Sequence, residues 1–102
     1  MEENQENAVF CFARAYRWAK LYYNFKQKAM NEKMGVFQKN TTYKIYYNNL
    51  VSCLKGMSEE NSKQVMEGVE DILNSRLDPE MVEICRYIKM AYVRMYEDEK
   101  TI

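Results

Sequence analysis

Residues 78–97 read DPEMVEICRYIKMAYVRMYE, and the opening Asp-Pro-Glu decides how the chain is to be read. Asp78 offers a side-chain acceptor to the free N–H groups of a helix start. Pro79 fits the first helical position, where no N–H is missed, and Glu80 sits where the helix's positive end favours an acid. Beyond them Met81, Ile84, Cys85, Tyr87, Ile88, Ala91, Tyr92, Met95 and Tyr96 share one half of a 3.6-residue period. The stretch predicts an amphipathic helix over about 79–97. Glu97, Asp98 and Glu99 fall at its negative end, an unfavourable placement, so its last residues are expected to fray.

Working back toward the amino terminus, Ser58 is a natural N-cap, followed by Glu59 and Glu60 in a first turn that favours acids. A helix over about 59–77 follows, with Val65, Met66, Val69, Ile72, Leu73 and Leu77 in a narrow stripe. Glu67, Glu70, Asp71 and Asn74 form its acidic outer face. Gly68 in its middle costs about 1 kcal/mol relative to alanine. Residues 42–55 place Tyr43, Tyr46, Tyr47, Leu50, Val51, Cys53 and Leu54 on one side, and Gly56 ends that helix. From about 7 to 34, Phe12, Ala15, Tyr16, Trp18, Ala19, Tyr22, Tyr23, Ala29 and Met30 share one broad side, and Gly35 suits a helix stop. Residues 36–41 read as a loop. The β-forming run Tyr43–Tyr47 admits a strand as the alternative, but no second strand with a hairpin turn is visible to pair with it. The expectation is a single all-α domain over 1–102, a compact bundle of about four helices.

Composition agrees. The chain has 102 residues, 47% hydrophobic and 29% charged, with three glycines and one proline, which is the make-up of a folded globular chain. The longest apolar run, Ala8–Ala13, is far shorter than the roughly 20 residues that cross a bilayer. The acidic start, MEENQEN, is unlike a secretory signal, and the three cysteines are odd in number and widely spaced. Together these lead to the expectation of a cytoplasmic protein without a membrane partner.

Charge is balanced overall but not along the chain. Residues 10–55 hold nine bases against one acid, while residues 56–102 hold eleven acids against six bases. The basic half leaves room for a local patch that meets nucleic acid or an acidic partner, but the preferred reading is that the two halves pack on each other or pair between subunits.

Chemistry is conspicuous by its absence. The chain has no histidine, so Ser-His-Asp and Cys-His arrangements and histidine-containing zinc sites are excluded. No GxxxxGK[ST] or GxGxxG occurs. Glu67, Glu70 and Asp71 share one helix face but supply too few oxygens for a hard cation. Cys11, Cys53 and Cys85 fall in apolar surroundings, where thiols are inert. No enzyme activity, cofactor, metal or small-molecule substrate is expected.

What remains is binding surface. Nine tyrosines and one tryptophan include the neighbours Tyr22-Tyr23 and Tyr46-Tyr47, one of each pair being placed near the rim of a core. The apolar arcs of the first and fourth helices span about 180°, wider than the roughly 100° of an ordinary surface helix, so each is either central to the fold or covered by a partner. The methionines, Met90 among them, either fill the core or line an adaptable groove. The first expectation is a non-enzymatic interaction or regulatory module that binds a protein or itself as a homodimer through Trp18, Tyr22, Tyr23, Tyr46 and Tyr47. The alternative is a DNA- or RNA-binding regulator using Arg14, Arg17, Lys20, Lys28 and Lys44, with Trp18 or a flanking tyrosine stacking on a base. A helix-turn-helix variant would place Arg86, Lys89 and Arg94 outward, against the repulsion of Glu80, Glu83 and Glu97.

Overall fold

Three side chains mark where the backbone turns into helix. Asn7 Oδ1 accepts from the Phe10 N–H at 2.9 Å, Ser58 Oγ from the Asn61 N–H at 3.1 Å, and Asp78 Oδ1 from the Glu80 N–H at 3.0 Å. Each satisfies an amide that the helix itself leaves without a partner. The helices are α1 (Ala8–Asn31), α2 (Val36–Lys55), α3 (Glu59–Ser75) and α4 (Pro79–Lys100). This computed structural model describes residues 7–32 and 35–100, without the side chains of Phe37 and residues 98–100. The acidic leader before Asn7, Lys33 and Met34 lie outside the described residues. Among those described there is no strand, and Tyr43–Tyr47 is helical. The all-α bundle of four helices is therefore what forms.

Four boundaries differ from the sequence reading. Residues 36–41 are not a loop but the opening turns of α2, whose first bond runs from the Lys39 N–H to the Gly35 carbonyl at 2.9 Å. The stretch shows no apolar stripe because its described side chains are exposed or half-exposed, and it has no side-chain cap to announce it. Gly35 accordingly starts α2, whereas α1 already ends at Asn31, where the Glu32 N–H closes on the Lys28 carbonyl. At the other junction, Arg76 takes a left-handed conformation (φ 54°, ψ 28°) that stops α3 at Ser75. Leu77 therefore leaves the α3 stripe and stands 87% exposed in the turn. The backbone of α4 is helical through Lys100, three residues past the expected end and through the stretch expected to fray.

The short connection makes α1 and α2 an antiparallel hairpin. Lys20 faces Glu80 and Lys26 faces Tyr87, so α1 and α4 run in the same direction. Glu70 meets Lys89, and α3 packs back along α4. The central elements are α1 and α4, each packed on the other three helices, while α2 and α3 flank them and scarcely meet. Most of each wide apolar arc is thereby covered within the chain, the exceptions being Met30 on α1 and Tyr96 on α4, which stay exposed.

Small residues allow the two central helices to approach. Cys11, Ala15 and Ala19 on α1, and Cys85 and Ala91 on α4, are buried to within about 1% of their surface. Leu50, Leu54, Val65, Val69, Ile84 and Ile88 fill the space around them in one core drawn from all four helices. Full burial of an aliphatic side chain of this size contributes roughly 1.5–3 kcal/mol. No polar or charged residue is buried among the described residues.

Candidate functional site

The aromatic residues of α1, α2 and α4 form a connected series. The Tyr22 ring centroid lies 5.2 Å from Tyr43 and 5.0 Å from Tyr87, and Phe25 lies 5.1 Å from Tyr43 and 6.1 Å from Tyr46. These tilted and edge-on pairs suit the ring quadrupoles. Lys26 Nζ covers its margin 5.4 Å from the Tyr87 centroid, and beside the series the Arg94 guanidinium lies 5.9 Å from the centroid of Tyr47.

Of the five residues expected at a partner interface, Trp18, Tyr22, Tyr23 and Tyr47 are half-buried against the core, and Tyr46 is half-buried beside Phe25. Tyr22 and Tyr46 join one aromatic series through Tyr43 and Phe25. None of the five is fully exposed. Burial raises the Tyr22 hydroxyl above its ordinary range despite the opposing pull of Lys26, and raises Tyr16 likewise. Tyr87 is raised further, first by burial and then by its hydrogen bond with the Glu83 carboxylate. Burial pushes the Cys85 thiol up to about 11. All three thiols are buried and outside any disulfide. Tyr16, Tyr22, Tyr87 and Cys85 therefore stay protonated near neutral pH, the reverse of what a nucleophile or general base needs.

The basic stripe is partly committed to this chain. Arg14 lies over the Phe10 ring at 5.7 Å, and Lys20 meets Glu80 at 3.8 Å. Arg17, Lys28 and Lys44 are exposed. On α4, Arg86 pairs with Glu83 at 3.1 Å and Lys89 with Glu70 at 2.7 Å, which draws both away from a recognition-helix role. Among the described residues no three metal-binding side chains converge, and no helix is long and apolar enough to cross a membrane.

Three surface features were not legible beforehand. An open cleft of about 530 Å³ separates α3 from α4, with Glu59, Glu67 and Asp71 at its rim and Met66, Tyr92 and Tyr96 inside. A second groove lies between the first turns of α1 and the middle of α3, where Phe12 covers Gly68. The third is a shallow depression on the outside of α4 at Arg86, Met90, Val93 and Glu97. Met90 and Val93 are 55% and 44% exposed there, and Tyr96, assigned to the apolar half, is equally exposed. Met90 is thus not core filling, and neither is Met30 at the end of α1; Met95 is buried and Met57, Met66 and Met81 are half-buried. The signal available in the sequence was that Met90 and Val93 are apolar yet fall outside the buried half of their own helix.

Comparison with protein-family models, with curated proteins and with solved structures finds no match.

Proposed function

We propose that this chain is a non-enzymatic helical interaction module that acts by docking an exposed helix face on a protein, a second copy included. The observation that carries this reading is the outer side of α4, where Met90 and Val93 project from a bundle whose central helices already pack on the other three. Exposed apolar side chains set among charged ones are the usual make-up of a protein-docking face. The half-buried rings of Trp18, Tyr23, Tyr46 and Tyr47 offer a second such edge. Raised tyrosine and thiol pKa values and the lack of histidine support a role without turnover. Three buried cysteines outside any disulfide fit a reducing compartment such as the cytoplasm.

A nucleic-acid regulator is the second reading, favoured by the exposure of Arg17, Lys28 and Lys44. Size-exclusion chromatography with light scattering separates the two. The chain is run with and without a pool of single- and double-stranded oligonucleotides, at low and physiological salt. The docking module keeps its mass in the presence of the oligonucleotides. A salt-sensitive shift onto them, lost in the double variant Arg17→Glu with Lys20→Glu, overturns it in favour of the basic stripe.

A further inference from the structure

We infer that the outer stripe of α4 pairs with the same stripe of a second copy, antiparallel and across a two-fold axis. The inference rests on the interaction-module reading and names its partner. Arg86, Met90, Val93 and Glu97 fall within an arc of about 60° at roughly 100° per residue, so they make one straight seam along the outside of the helix. The order along that seam is base, apolar, apolar, acid. Turned end for end, it complements itself: Arg86 comes level with Glu97 of the second copy, and Met90 with its Val93. Each pairing occurs twice, as a two-fold interface requires.

The flanking cations clear the seam instead of blocking it. Lys89 is drawn sideways to Glu70 on α3, and Arg94 is drawn the opposite way over the Tyr47 ring on α2. Lys89 and Arg94 of opposing copies come level along the axis, but on opposite margins, and Lys89 is already neutralised. What is left between the margins is the shallow depression that receives the Met90 and Val93 side chains of the other copy. The pairing also accounts for an acid placed where a helix disfavours one. Glu97 lies near the negative end of α4, and Arg86 of the second copy, which is 61% exposed and keeps its contact with Glu83 of its own helix, supplies the missing positive charge.

A seam of four apolar side chains and two ion pairs is small, so association should depend on concentration, with dimer at about 100 µM and monomer at about 1 µM. Light scattering on the full chain tests this. The expected mass is about 25 kDa at the upper concentration, twice the 12.3 kDa of the chain, falling to the monomer on dilution. Arg86→Glu and Glu97→Arg, each alone, replace attraction with repulsion twice over and should weaken the dimer roughly tenfold or more. The double exchange restores the complement and should restore the dimer. All these positions are exposed, so helical circular dichroism and thermal midpoint should hardly change, as for Met90→Asp. Two results overturn the seam: a wild-type chain that is monomeric up to about 0.5 mM, or a dimer indifferent to both single exchanges. The second leaves the module reading standing with another face in use, whereas capture by oligonucleotides overturns the module reading itself.

Discussion

Two residues show how local chemistry sets a local free energy. Arg76 is the one described residue other than glycine with positive φ, and a side chain in the left-handed region is disfavoured against its own backbone. Glycine carries no such penalty at a helix end, so Arg76→Gly should stabilise the fold by about 0.5–1 kcal/mol, read as a higher urea midpoint. Cys85 illustrates burial. Its thiol ordinarily loses its proton near 9 and in the fold only near 11, so above pH 9 the unfolded chain binds fewer protons than the folded one. Its contribution is complete below pH 9 and is lost as pH rises toward 11; raised Tyr87 acts in the same direction. Urea titrations at pH 8 and at pH 10.5 should give the lower stability at the higher pH. An aromatic disulfide reagent should label the three thiols slowly in the native chain and promptly in guanidinium, since all are buried. That these cysteines are buried was legible from their apolar neighbours; the conformation of Arg76 was not, because nothing in its residue type favours a left-handed cap.

At the scale of the helix, α3 and α4 were legible to within a few residues because both carry start signals and a one-sided stripe. Asp78→Ala removes the acceptor of the Glu80 N–H and should cost about 1 kcal/mol, with the far-ultraviolet signal retained below the melting midpoint. Gly68 has the opposite sign. A Cβ there would meet the Phe12 ring at 3.6 Å, an ordinary van der Waals distance, so Gly68→Ala meets no clash. It should recover most of the glycine penalty in a helix interior, roughly 0.5–1 kcal/mol, and raise the thermal midpoint. The break between α1 and α2 was misplaced for a physical reason. The first turns of α2 bury too little to show a stripe, and Gly35 provides no side-chain bond, so helicity there is extended outward from the packed half beyond Tyr43.

For the whole molecule, stability is concentrated where α1 and α4 meet the other helices. Ile88→Ala removes a fully buried branched side chain from a helix that touches all three others, and should cost about 2–5 kcal/mol in one cooperative transition. Substitution on the outer seam of the same helix should leave that transition in place and act on assembly alone. By itself the sequence determined the fold class, the two capped helix starts, most of the core and the lack of histidine chemistry. Each of these follows from residue type and spacing within one element. Only the tertiary structure decided that α1 and α4 take the central places, that Lys20 and Lys89 are paired with acids of other helices, and that Met90 and Val93 face outward. Those outcomes depend on which helices become neighbours and at what register, and periodicity along a single helix carries no record of what will lie across from it.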